Sequence, residues 1–313
     1  MSINKDQILH LLKRITSSAK LPARIDFEIS NNCLFMKVSE TGVIANMQED
    51  KSAFEGWAVV LKAALPEIEK VVLNWDNPKY NPENENAQKA HYNRFLMRAA
   101  NFKKGYSWFD IAEERKGAVD TVQNLLDNKI LVVNFPKNPC NPDVNKEKKP
   151  EAFLERKLVK LWSNSKSITD EQLPVGLFNS TVCIANTFTP RGASQIDLWQ
   201  LKGDTMHIYE LKVRGNESIG IISELMFYVC TIQHIVNGVI NYPDLSKEKP
   251  FRHFIDFATA VKNKKIHKVV GYFTAPKFHP LIESAQLKNI IKDILNENAF
   301  GIRFEYKVIS NLT

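Results

Sequence analysis

Apolar residues recur at helical spacing over 6–19, at Ile8, Leu11, Leu12 and Ile15, with Pro22 just beyond, so the spacing predicts a short opening helix. Residues 24–29 and 33–38 alternate around Ser30-Asn31-Asn32, a hairpin signal, and 42–47 reads as a third strand. A helix over 52–64, stopped near Pro66, a strand over 71–75 and a loop over 77–86 follow. A helix from about 87 to 102, a strand over 108–112, a helix near 115–127 and a strand over 130–135 complete an α/β-patterned first region.

Residues 136–150 combine four prolines with a charged run and no apolar periodicity, which places a domain boundary there. The expected organisation is an N-terminal α/β domain over 1–137, a linker over 138–150 and a second α/β domain over 151–313. The second opens with EAFLERKLVKLW, a helix burying Leu154, Leu158, Leu161 and Trp162, with Glu155 beside that side. After a polar stretch come a strand over 182–188, a hairpin, helices near 217–236 and 251–263, a strand over 267–274, a helix over 280–296 and a strand over 302–309.

The hairpin carries the chemistry. Two apolar-rich runs, 196–201 and 206–213, flank Lys202-Gly203-Asp204-Thr205, a tight-turn composition. With Leu201 facing Met206, counting outward puts Asp197 opposite Glu210, and alternation puts Lys212 on the same face. Like charges opposed in a sheet repel, and desolvating carboxylates costs several kcal/mol unless a cation compensates. A bound divalent metal removes both penalties, and hard cations such as Mg²⁺ prefer oxygen ligands, with water and substrate phosphate completing the shell. The plain alternative is an exposed hairpin end where a Glu and a Lys solvate the sheet. The large apolar residues on the inner positions of the same face, and the upstream Glu155, weigh against it.

Composition narrows the classes. A chain of 313 residues, 44% hydrophobic, can bury one large core or two moderate ones. The net charge of +7 is compatible with a polyanionic partner without requiring one. Four scattered cysteines, Cys33, Cys140, Cys183 and Cys230, form neither a metal-binding spacing nor a disulfide pattern, and Cys183 and Cys230 fall in apolar contexts that predict buried, inert thiols. The N-terminal stretch is too charged for a secretion signal, and no run of about 18 apolar residues exists. A soluble, cytoplasmic protein with no membrane association is expected.

The order of a helix with Glu155, a strand, Asp197, twelve residues, Glu210-Leu211-Lys212 and a further helix resembles the PD-(D/E)xK nuclease superfamily, which includes many restriction enzymes and Holliday-junction resolvases. FLERKLVKLW looks like the resolvase-type first helix, and GASQIDLWQLKGDTMHIYELKV like the glycine, Asp, hairpin and E-x-K segment; the likeness covers residues 151–236. It implies a restriction-endonuclease-like core, a mixed central sheet flanked by helices, in the C-terminal half. It also implies a nuclease hydrolysing phosphodiester bonds, foremost a DNA endonuclease of restriction, defence, repair or recombination. Asp197 and Glu210, with the main-chain carbonyl of Leu211, would bind Mg²⁺ or Mn²⁺. Lys212 would position the attacking water and meet developing charge, and Glu155 would orient water or support a second metal. A homodimer would suit cleavage of two strands. A non-catalytic nucleic-acid-binding or assembly protein retaining the fold is the alternative.

Lesser candidates complete the picture. Some members carry a Gln and a Tyr four apart on the following helix; Glu224 and Tyr228 are the matching pair, with Glu in place of Gln, and a Tyr beside Leu225 and Met226 is more often plain core packing. Ile196 stands where the name-giving proline would be. Ser194 and Gln195 precede Asp197 and could touch a substrate phosphate, although the polar composition of a loop explains them as well. His207 falls on the face opposite the carboxylates, a structural position. His91, Arg94 and Arg98 form a stripe at i, i+3 and i+7, which suits either a solvated helix face or, through Arg94 and Arg98, contact with nucleic-acid phosphates.

Overall fold

The alternation of apolar positions resolves into two mixed sheets in the computed structural model, which describes residues 2–134, 150–164, 166–190, 194–242 and 253–309. In chain order the first elements are β1 (Ile3–Asn4), α1 (Lys5–Ile15), β2 (Ile25–Ser30), β3 (Cys33–Val38), α2 (Phe54–Ala64) and β4 (Lys70–Trp75). Then come α3 (Glu85–Gly105), β5 (Phe109–Ile111), α4 (Lys116–Asp127), β6 (Leu131–Val133), α5 (Pro150–Trp162), β7 (Ile168–Pro174) and β8 (Leu177–Asn179). The remainder comprises β9 (Gln195–Lys202), β10 (Thr205–Leu211), α6 (Gly220–Val236), α7 (Phe254–Lys262), β11 (Lys268–Ala275), α8 (Pro280–Glu283), α9 (Lys288–Asn296) and β12 (Arg303–Val308).

The chain divides into two compact units, residues 1–124, 217–224 and 277–300 in the first and 125–216, 225–276 and 301–313 in the second. This differs from an expected single boundary near 137. Strand β6 and the end of α4 belong with the second unit, and α8 and α9 with the first. The expected linker lies, apart from Pro150, outside the described residues, as do Cys140 and Gly192.

In the first unit the sheet order is β1-β2-β3-β4-β5, antiparallel through β3 and parallel beyond. Ile25, Phe27 and Ile29 bury alternate positions of β2, and the turn into β3 uses Asn31 and Asn32 at φ 51 and 59, a left-handed conformation asparagine tolerates. Helix α1 starts at a capping box in which Asn4 and Gln7 satisfy each other's backbone N–H. Helix α9 packs on α2, and Tyr106 Oη donates to Leu295 O at 2.8 Å. The third strand expected over 42–47 is instead a series of turns, and the helix expected over 280–296 is two, α8 and α9.

The basic stripe on α3 departs furthest from both of its expected roles. Arg94 and Arg98 are 1% and 2% exposed, so they form neither a solvated face nor an outward phosphate contact. Arg98 Nε donates to Glu55 Oε1 at 2.8 Å, its Nη2 pairs with Glu55 Oε2 and donates to Ser52 O at 2.8 Å, and the guanidinium lies over the Phe54 ring. Ser223 Oγ adds a donor to Glu55 Oε2 at 2.8 Å. Arg94 Nη2 reaches Asn46 Oδ1 and His91 Nδ1, each at 3.0 Å. The amphipathic spacing that suggested a surface stripe is overridden because Glu55, on a helix buried nearly all round, needs a cation.

In the second unit the sheet order is β12-β11-β10-β9-β7, with β7, β9 and β10 mutually antiparallel and β10, β11 and β12 parallel. Helix α5 covers one face, where Leu154 and Leu158 pack with Leu198, Tyr209, Leu211 and Ile309. Tyr272 belongs to that face, so its neighbour Gly271 points to the other. There α6 comes so close that a Cβ on Gly271 would lie 2.8 Å from Val229. Leu161, expected in the buried side of α5, is 59% exposed, and half-buried Trp162 is covered instead by the Lys307 ammonium, 3.5 Å from its ring centroid. The polar stretch after α5 forms β7 and β8, while the strand expected over 182–188 is replaced by a short 3₁₀ turn, Ile184–Asn186.

Because Arg98 and Glu55 neutralise each other out of water, Arg98→Ala is expected to cost about 3–5 kcal/mol. Chemical denaturation checks this, and the double change Arg98→Met with Glu55→Leu should cost less than the single one.

Candidate functional site

The site is built outward from the turn between β9 and β10. Gly203, at φ 61, occupies the first position of a two-residue loop, where a twisted hairpin favours glycine. The ladder closes with Lys202 opposite Thr205 and Leu201 opposite Met206, and runs to Leu198 opposite Tyr209. Continuing this register by one residue, past the last pair of the ladder, puts Asp197 opposite Glu210.

The two carboxylates are satisfied differently. Asp197 Oδ2 accepts the backbone N–H of Leu211 at 2.8 Å. Glu210, 1% exposed, takes the ammonium of Lys212, 5% exposed, with Nζ 2.6 Å from Oε1. The backbone of Lys212 is itself held, its N–H donating to Thr274 O on β11 at 2.9 Å. Glu210 and Lys212 are therefore a buried ion pair rather than a solvated strand end, which removes the plain alternative for the E-x-K segment.

Glu155 comes from α5. Burial of Leu154 and Leu158 on the sheet turns the intervening Glu155 into a cavity of about 270 Å³ lined also by Glu151, Arg156, Glu171, Gln172 and Asp197. The structure thus brings Glu155 and Asp197 together, while Glu210 and Lys212 are not among the cavity's lining residues. Burial first, then the charge of Asp197 and those of Glu171 and Glu151, push the Glu155 carboxyl up to about 9, against an opposing hydrogen bond from Gln172. Arg156 Nε lies 3.5 Å from Glu171 Oε1.

Gln172 and Glu171 were hidden from sequence reasoning. ITDEQLP lacks apolar alternation, yet Thr169, Asp170 and Glu171 are all buried in β7. Gln172 has φ 56, and its Nε2 donates to Glu155 Oε2 at 2.6 Å. A cluster of acidic and amide residues soon after the Glu155 helix was the available signal.

The remaining candidates lie elsewhere. Gln195 is half-buried at the start of β9, paired with Pro174, and Ser194 Oγ donates to Pro190 O. Glu224 and Tyr228 are buried on α6, with the Tyr228 ring beside Phe227. His207 meets Tyr272 Oη at 3.2 Å, a structural contact as expected. Cys230 is buried, but Cys183 is exposed, because the segment expected as a strand around it is surface turn. Among the described residues, no group of three or more His, Cys, Asp or Glu side chains is arranged to hold a metal ion. No helix among them is long and apolar enough to cross a membrane.

No family model, curated protein or solved structure matches the chain.

The raised Glu155 carboxyl generates a stability prediction. In the folded state it keeps its proton above the ordinary value of 4.5 up to about 9, so between these pH values the folded chain binds more protons than the unfolded one. Its contribution is fully present below 4.5 and is lost as pH rises through about 9. Glu155→Gln, which is neutral throughout, should therefore gain stability relative to the unchanged protein as pH rises from 4.5 towards about 9. Thermal melts from pH 5 to 9 measure this; parallel pH profiles would contradict it.

Proposed function

We propose that the chain is a metal-dependent phosphodiesterase, a nuclease acting on DNA, built on a restriction-endonuclease-like core formed by α5, β7, β9, β10, α6 and β11. The observation carrying this reading is the Asp197 carboxylate, which accepts the N–H of Leu211, the residue between Glu210 and Lys212, and also lines a cavity with Glu155. The resemblance in motif order supports the same reading.

The donor chemistry fits a hard divalent cation. The cavity gathers carboxylate oxygens, and burial together with the neighbouring charge of Asp197 raises the Glu155 carboxyl, a condition that a Mg²⁺ or Mn²⁺ ion would relieve. Asp197 and Glu155 would hold the ion, with Glu210 and the Leu211 carbonyl as the further ligands implied by the motif. When bound, such an ion supplies a water of lowered pKa and positive charge beside the phosphoryl oxygens.

The chain's own residues then have separate tasks. Asp197 is fixed by the Leu211 N–H, so its carboxylate needs little reorganisation on engaging a ligand. Lys212 carries its cation at the end of β10, where it can stabilise negative charge developing on the scissile phosphate. Burial strengthens that electrostatic effect, and Glu210 Oε1 holds the ammonium at 2.6 Å.

A second reading, a nucleic-acid-binding or assembly protein without catalysis, is favoured by one observation. Glu210 and Lys212 already neutralise each other at 2.6 Å.

Incubation with single-stranded, duplex and branched DNA, and with RNA, in Mg²⁺, Mn²⁺ and EDTA separates the two. Cleavage that EDTA abolishes is expected. Glu210→Gln and Lys212→Met, which keep the size of the side chain, should each lower the rate by at least about a thousandfold, roughly 4 kcal/mol of transition-state stabilisation. Salt-dependent DNA binding without cleavage would favour the second reading.

A further inference from the structure

Gln172 is the one amide in the carboxylate cavity, and three independent features of its placement call for an explanation. Its Nε2 donates to Glu155 Oε2 at 2.6 Å. Its backbone is left-handed, φ 56, in the middle of a strand, a conformation that costs a residue with a Cβ and offers β7 nothing. In the β7–β9 ladder, Glu171 pairs with Leu198 and Leu173 with Ile196, so the register position of Gln172 is opposite Asp197. The count of residues is preserved across this position, so no inserted residue accounts for the twist.

An extended backbone continuing the pleat from Glu171 to Leu173 is the low-energy course for this segment. The left-handed residue departs from it at the single position opposite Asp197, and the observed result is an amide on Glu155. Local strain of this kind persists only where the surroundings over-determine it, and it gathers at sites where a side chain must be aimed.

We propose that Gln172 is the positioning residue of this site, fixing the Glu155 carboxylate toward Asp197 so that the two oxygen donors are presented together to a divalent cation. The inference rests on the metal-dependent reading given above. An amide suits the task better than a cation: Gln172 donates one hydrogen bond to one oxygen of Glu155 without neutralising it, leaving Oε1 for a ligand. Arg156, the guanidinium lining the same cavity, is directed to Glu171 instead. Gln172 acts through Glu155 and touches no reacting atom, and groups that orient ligands in this way typically contribute 10- to 100-fold to metal affinity or activity.

Two variants separate aiming from folding. Gln172→Ala removes the amide and keeps the strained backbone, whereas Gln172→Gly removes the amide and relieves the strain, so the glycine protein folds at least as well as the original. For the full chain and both variants, Mn²⁺ affinity is measured by calorimetry, and kcat and KM on a DNA substrate are measured at saturating Mn²⁺. The expected result is a loss of about 10- to 100-fold in Mn²⁺ affinity and a fall in kcat, with KM for DNA unchanged, in both variants alike. Original Mn²⁺ affinity and kcat in Gln172→Gly overturn the proposal while leaving a cleaving protein intact. If the original protein neither binds Mn²⁺ nor cleaves, the metal-dependent reading falls first and this inference with it.

Discussion

A carboxylate taken out of water must find a cation, a set of N–H donors or a proton, and each buried or half-buried acid around the hairpin meets this requirement differently. Glu210 takes the Lys212 ammonium, Asp197 takes the Leu211 N–H, and Glu155 takes the Gln172 amide and holds its proton. These solutions depend on the hairpin register. A slip of one residue would carry Glu210 and Lys212 to the face occupied by Leu198, Tyr209 and Leu211, beneath the apolar side of α5. The two-residue turn at Gly203 prevents that slip, so a glycine remote from the acids governs their arrangement.

The same requirement explains what could and could not be read along the chain. The hairpin was legible because period-two alternation and a short turn are local properties, and its counted register, Leu201 opposite Met206, is the observed one. Helices α1, α2 and α5 were legible from apolar spacing. Strand β7 was not, because it buries Thr169, Asp170 and Glu171 instead of aliphatic residues, and its partners are supplied by distant segments such as Arg156 and the backbone N–H of His253. Arg94 and Arg98 were misread for the converse reason: the buried Glu55 that claims Arg98 lies 43 residues earlier, beyond any helical period.

Within the site, residue identity was more legible than geometry. Glu155, Asp197, Glu210 and Lys212 could be picked from motif order, but their division into a carboxylate cavity and a separate buried ion pair depends on how α5 seats against the sheet. That seating is decided by Leu154, Leu158 and Trp162, with Leu161 left in solvent. The cluster of acidic and amide residues pointed at most to the neighbourhood of Gln172, because a single left-handed residue within a strand has no compositional signature.

The alternation of segments between the two units bears on how the polypeptide folds as it is made. Residues 277–300 complete the first unit, where α9 packs on α2 and Leu295 accepts the Tyr106 hydroxyl across 189 positions. Strand β12, which closes the second sheet against β11, follows directly after. During synthesis from the N-terminus, neither unit has all of its packing partners until residues 277–308 have emerged. The early strands must therefore wait, with apolar surface uncovered, and both cores close late and within a few residues of each other.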